Sequence, residues 1–187
     1  MLLDEPFASL DTRLRETTGR AVAAALRAAG ATAVLVTHDQ AEALSLADQV
    51  AVMRDGRIAQ ADAPLRVYRS PVDTGAAFVG GGVVLSAVAH NGGARCALGP
   101  VSISSPPGRP AMNVLIRPEQ IEIHPDGAGP GVPAEVAGIS FFGHDADVRL
   151  VLLESGSQIL ARVPSTAVPE PGARVRLAVR GPVAAYT

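Results

Sequence analysis

Two short stretches carry the residue types that do chemistry on phosphates. "LLDEP", Leu2 to Pro6, sets two carboxylates, Asp4 and Glu5, behind an apolar stub. "THDQ", Thr37 to Gln40, sets an imidazole and a further carboxylate behind the apolar run that ends at Val36. Neighbouring residues at a strand end point to opposite sides. One of Asp4 and Glu5 can therefore face a magnesium ion while the other faces an attacking water. Mg²⁺ prefers oxygen ligands and keeps several of its waters, so one carboxylate acting through water is enough. The second carboxylate can polarise a nucleophilic water as general base. His38 on an adjacent strand end can hydrogen-bond a transferring phosphoryl group, where charge spreads in the transition state. Each half also has a plain structural alternative. The acidic pair can be a solvated turn after a strand, and His38-Asp39 a helix start with an early carboxylate. A metal-hydrolase reading of the same residues lacks a ligand spacing such as H-E-x-x-H.

The elements between these stretches must bring them together. "DTRLRETTGRAVAAALRAAG" reads as a helix, with Asp11 as its cap and Gly30 where a C-terminal glycine belongs. Leu14, Val22, Leu26 and Ala29 fall near one face at helical spacing, which predicts that this face packs inward. "ATAVLV" (31–36) is short and apolar, as in a parallel strand covered on both faces. "THDQAEALSLAD" follows as a second helix, and "QVAVMRDGRIAQAD" as a strand pair turning at Asp55-Gly56. Strand, helix, strand implies a parallel pair with a right-handed crossover, both strands ending on one sheet edge. That edge is where open α/β sheets bind ligands.

Composition narrows the field. The net charge is −2 and aromatics make up 3% of the chain, which speaks against a nucleic-acid footprint. Cys96 is the one cysteine, so no internal disulfide forms, and it reads as a small buried apolar residue. No apolar run of membrane-spanning length is present, so no direct membrane insertion is expected. All 16 basic residues are arginine. A G-x-x-x-x-G-K-[ST] phosphate loop needs a lysine for the β and γ phosphates, so these residues contain none. "GGG" at Gly80 to Gly82 leads into strand-like sequence instead and reads as a flexible joint.

With these residues in view, "LLDEP-FASLD" followed by "VLVTHDQAEALSLADQVAVMRDGRIAQADAPLRVYRSP" resembles the second half of the ATPase subunit of an ABC-type importer. The resemblance covers residues 1 to about 80 and is closest to subunits with an extra C-terminal β domain. It implies an α/β fold for 1–80, the second half only of a P-loop NTPase-type parallel sheet. By the family pattern Asp4 is the Walker B aspartate serving magnesium, through water, and Glu5 is the catalytic carboxylate. Asp11 falls at the aspartate of the loop that crosses the dimer interface, in contact with nucleotide. His38 is the switch histidine at the γ-phosphate. The family commonly has serine-alanine ahead of the "LD" where this chain has Ala8-Ser9, so no role is assigned to the Ser9 hydroxyl.

From about Gly81 the composition changes. Proline and glycine rise, and short apolar stretches recur: "VVLSAVAH", "RCAL", "VSIS", "MNVLIRP", "IEIHP", "AEVAGISFFG", "DADVRLVLL", "QILARVP" and "RVRLAVRG". Turn-formers separate them at Asn91-Gly92, Pro106-Pro107-Gly108, Asp126-Gly127 and Pro171-Gly172. Alternation in "DVRLVLL" and "RVRLAV" fits half-buried antiparallel sheet, and so many short strands predict a small barrel, or two, of the OB type. "LIRPEQIEI", "ISFFGHDADVRLVL", "ARVP" and "PGARVRLAV" resemble the TOBE domain of such importers, which implies an all-β OB-like domain over 81–187. Arg117 and Glu119 read as a pair that fixes a turn or bridges to a partner, and His144-Asp145 as a polar loop.

The resemblance implies ATP and Mg²⁺ as cofactors. Its implied partners are a second ATPase subunit in a homodimer and transmembrane permease subunits, at the cytoplasmic face of a membrane. It also implies a phosphate loop, glutamine loop and signature motif upstream of Met1. The beginning therefore reads as a cut edge, and the 187 residues alone are expected to be inactive. The alternative is a non-catalytic β module for regulation, dimerisation or ligand sensing.

Overall fold

A computed structural model of the chain describes residues 1–73, 79–104 and 109–186. The turn expected at Pro106-Pro107-Gly108 lies outside them. The chain divides into two units, Met1–Val79 and Gly80–Thr187.

In the first unit, strands β1 (Leu2–Asp4) and β2 (Val34–Val36) pair in parallel, with Asp4 opposite Val36. Helix α1 (Thr12–Ala28) connects them. Asp11 caps it, accepting from the Leu14 amide at 2.9 Å. At its other end Gly30 takes φ 59°. The Gly30 and Ala31 amides reach back to the Arg27 and Leu26 carbonyls, as the left-handed glycine stop requires. Helix α2 (Gln40–Leu46) follows β2, capped by Asp39. Strands β3 (Val50–Arg54) and β4 (Arg57–Asp62) form a hairpin. Both residues of its turn are left-handed, Asp55 at φ 50° and Gly56 at φ 72°, as a two-residue hairpin loop demands. A short helix α3 (Pro64–Arg69), begun by proline at its first position, was not anticipated.

Two expectations fail in this unit. The inward face of α1 is not the Leu14–Ala29 line, because Leu14 and Ala29 are exposed. The covered stripe runs through Arg15, Thr18, Gly19, Val22, Ala23 and Leu26, of which only Gly19 is fully buried. A Cβ on Gly19 would lie 2.8 Å from Leu46 Cδ1 and 3.7 Å from the buried Phe7 ring, so α2 comes closest where α1 lacks a side chain. Nor is the second strand covered on both faces. It spans Val34–Val36 rather than 31–36, and Val34 and Val36 are exposed, as are Met1 and Leu2 beside them. A two-stranded sheet has too few neighbours to bury both faces.

The second unit is all β apart from short 3-10 turns. Strands β5 (Val83–His90), β6 (Gly93–Cys96), β7 (Gly99–Ile103) and β8 (Ala111–Ile116) belong to a closed barrel. Strand β14 (Pro182–Tyr186) completes it, parallel to β7 and antiparallel to β8. This closing strand was also not anticipated. Strands β9 (Ile121–Pro125), β10 (Val132–Phe141), β11 (Asp145–Leu152), β12 (Gln158–Pro164) and β13 (Arg174–Val179) form an antiparallel sheet in the order β12-β11-β10-β13-β9. Every second residue of β11 is buried, as its alternation predicts: Ala146, Val148, Leu150 and Leu152. β12 likewise buries Ile159, Ala161 and Val163. These join Val114, Ile116, Val136, Leu177 and Val183 in one continuous core, so the barrel and the open sheet share an interior.

Candidate functional site

β1 and β2 run in parallel, so their C-terminal ends share one edge, and the residues just beyond them meet there. The backbone leaves the strand at Glu5, whose φ of 45° is left-handed and unusual for a residue with a side chain. The Glu5 amide still donates to the Val36 carbonyl at 2.9 Å. The turn swings the Glu5 carboxylate towards the second strand end, where Oε1 lies 2.7 Å from His38 Nδ1. Asp4, the residue before Glu5, is the last of β1 and is exposed.

His38 remains 81% exposed at the side chain, against 37% for Glu5. The hydrogen bond from the imidazole to the Glu5 carboxylate, followed by the charge of Glu5 itself, raises the His38 pKa above its ordinary value of 6.5. An ionised carboxylate only accepts, so Nδ1 is the donor. When the ring is protonated, Nε2 carries a hydrogen as well and is free to donate outward.

The residues flanking His38 are tied down. Thr37 Oγ1 donates to Glu42 Oε2 at 2.8 Å and accepts from the Asp39 amide at 3.0 Å. Asp39 Oδ1 accepts from the amides of Ala41 (2.8 Å) and Glu42 (3.2 Å), starting α2. Asp39 Oδ2 accepts from Arg15 Nη1 at 3.0 Å. Partial burial pushes the Asp39 carboxyl up. The amide hydrogen bonds and the Arg15 guanidinium outweigh this, and its pKa ends below the ordinary 3.8.

Of the residues singled out in the sequence, the structure brings Glu5 and His38 into contact and leaves Asp4 adjacent. Asp11 serves as the α1 cap. The reading missed Arg15 and Glu42. Each sits four residues beyond a residue already marked, Asp11 and His38, one helical turn further along. Elsewhere, Arg117 is 5% exposed and donates through Nη1 to the Gly81 carbonyl, holding the start of the second unit onto the end of β8. His144, on an exposed loop, places Nε2 3.5 Å from Oδ1 of Asp145, which is partly buried and opens β11 rather than belonging to the expected polar loop. Cys96 is half-buried, and burial pushes its thiol up, away from the reactive thiolate. Among the described residues no three His, Cys, Asp or Glu side chains cluster as a metal site. None of the described helices is long and apolar enough to cross a membrane.

Residues 114–184 match the family described as the TOBE domain, a span that begins within β8, takes in the whole five-stranded sheet and ends within β14. The second unit carries a TOBE domain. The chain that bears this TOBE domain is similar over its whole length to ATP-binding proteins named for iron import. It is 44% identical to the Fe(3+) ions import ATP-binding protein FbpC 1 of Rhodococcus jostii, over 100% of this chain and 55% of that protein. FbpC 2 of the same organism is 45% identical over the same shares. FbpC of Serratia marcescens is 44% identical over 97% of this chain and 53% of its own. The chain thus spans about half the length of the curated relatives it matches. A crystal structure of the cytoplasmic molybdate-binding protein ModG aligns with 56% of this chain and 95% of its own. Its identity is 14% and its TM-score 0.44, a level that carries no argument about this chain.

Proposed function

We propose that the chain is the C-terminal part of the ATP-hydrolysing subunit of an ABC-type importer, with iron(III) as the imported solute. The observation that carries this reading is the Glu5–His38 hydrogen bond of 2.7 Å at the shared edge of a parallel strand pair, in a chain 44% identical throughout to iron-import ATP-binding proteins. Residues 1–80 act as part of a P-loop NTPase-type nucleotide-binding domain, and residues 81–187 as its TOBE-containing OB-like domain.

Each residue has a chemical task. Glu5, turned out of its strand, accepts a proton from the attacking water as general base. His38, oriented by Glu5 through Nδ1, presents Nε2 to the phosphoryl oxygens on which charge develops. Asp4 offers an exposed carboxylate whose hard oxygens would suit Mg²⁺ held through water. A magnesium ion held there with ATP would supply neutralisation of phosphate charge. Asp11 sits at the loop entering α1, placed for nucleotide held across a homodimer. The sequence has no lysine, so the grip on the β and γ phosphates comes from residues outside it. Permease subunits are the remaining partners, with the ATPase on the cytoplasmic face of the membrane.

Two measurements test this. Translating the genomic DNA upstream of Met1 in frame should give a phosphate loop and a signature motif. The complete product, with its permease in proteoliposomes, should then show iron(III)-stimulated ATP turnover that Glu5→Gln abolishes. An in-frame stop just upstream, or turnover indifferent to Glu5→Gln, would defeat the reading. The stop codon would favour instead a non-catalytic regulatory β module, which the continuous core of the second unit supports.

A further inference from the structure

Glu5 and His38 belong to different segments, and each is exposed enough to move away from the other. Something must fix the separation between the loop after β1 and the turn after β2. The Glu5 amide joins the Val36 carbonyl at 2.9 Å, which secures one side. On the other side, loop and turn are tied through one guanidinium.

Arg15 lies in the first turn of α1. Its Nη2 donates to the Leu10 carbonyl at 3.0 Å and its Nη1 to Asp39 Oδ2 at 3.0 Å. Nε stands 3.7 Å from Glu42 Oε1. Glu42 is only 8% exposed and holds Thr37 through its other oxygen. The loop is internally braced, with Leu10 bonded to the Phe7 carbonyl and Ala8 to that of Glu5. The path is therefore a closed ring: Glu5 to Val36, Thr37 to Asp39, Asp39 to Arg15, Arg15 to Leu10, and back through Phe7 to Glu5. His38 is the member of the turn whose side chain stands outside the ring, bonded to Glu5. A planar guanidinium can span Asp39 and Leu10 at once with fixed geometry, which an ammonium cannot.

We propose that Arg15 is a positioning residue that clamps the Glu5–Leu10 loop to the Thr37–Asp39 turn and thereby holds His38 Nδ1 within reach of the Glu5 carboxylate. Its consequence for turnover rests on the transport-ATPase reading, whereas the clamp itself concerns this chain without nucleotide.

The test uses the full chain at fixed pH and reads the imidazole ¹⁵N signals of His38, which report whether Nδ1 carries the hydrogen bonded to a carboxylate. Glu5→Gln defines the signal of the broken pair. Arg15→Met should shift the His38 Nδ1 signal in the same direction, and Arg15→Lys should fall between Arg15→Met and the parent. A charge lost only for stability would leave the His38 signal in place while the melting temperature fell. Should Arg15→Met fail to fold, Asp39→Asn keeps an α2 cap but loses the charged partner of Arg15, and it should move the signal the same way. The clamp is overturned if the folded variant, Arg15→Met or in its place Asp39→Asn, leaves His38 at parental values, or if Glu5→Gln itself moves nothing. Because no nucleotide is present, a failed clamp leaves the ATPase reading intact. Absence of ATP turnover in the complete protein defeats that reading without touching the clamp.

Discussion

The Glu5 carboxylate and the His38 imidazole, 33 residues apart, meet at 2.7 Å because two parallel strands end on the same edge and Glu5 leaves its strand in a left-handed turn. Neither residue is forced there by burial. Their contact is made by backbone geometry, and that makes it testable in solution.

The imidazole of His38 should titrate above 6.5, and Glu5→Gln should bring it back towards that value. A pKa raised on folding contributes stability that is fully present below the unfolded value and is lost as pH rises through the folded one. Proton NMR titration of the parent and Glu5→Gln checks the first statement. Denaturant unfolding followed through the same window checks the sign.

Asp39 caps α2 and pairs with Arg15, so Asp39→Ala removes two amide acceptors and one ion pair. A loss of about 1–2 kcal/mol is expected in urea unfolding of the first unit. Its carboxyl lies below the ordinary 3.8. The contribution is therefore present above the unfolded value and lost as pH falls through the folded one, and Asp39→Ala should flatten the acid limb.

Leu150 is fully buried in the shared core of the second unit, whereas Leu14 on α1 is half exposed. Leu150→Ala should cost about 2–5 kcal/mol by transfer and cavity formation. Leu14→Ala should stay within about 0.5 kcal/mol. Equal effects would contradict the inward face assigned to α1.

Gly131 takes φ 124°, and a Cβ there would strike the Leu177 backbone at its carbonyl oxygen. Gly172 is also left-handed at φ 77°, but open space surrounds it. Gly172→Ala should cost about 1–2 kcal/mol of backbone strain alone. Gly131→Ala should cost distinctly more, because β10 must also separate from β13. Comparing the two melting temperatures separates strain from collision.

Much of this protein was legible where the signal is local. Asp11 and Asp39 mark helix starts, Gly30 a helix stop and Asp55-Gly56 a hairpin, because each depends on φ preferences and hydrogen bonds within a few residues. The alternation of β11 and β13 marked their buried faces, with Val148, Leu150 and Leu152 inside in one and Val175 and Leu177 in the other, since a period of two survives whatever lies opposite. The outward turn of Leu14 was hidden. Apolar spacing marks a face, but the closest approach to α2 is at Gly19, a residue with no hydrophobic side chain to count. β14 was hidden as well, because "PVAAY" lacks alternation and becomes a strand only between β7 and β8.

The candidate site divides in the same way. Residue types and their places after two apolar runs singled out Asp4, Glu5 and His38 without any structure. Only the tertiary fold decided that Glu5 touches His38, and that Arg15, 24 residues from Asp39, reaches across to tie the two loops together. Chemistry is carried by side-chain type, which sequence displays directly. Contact between distant segments follows from how strands pair and helices approach, and no local pattern encodes that distance.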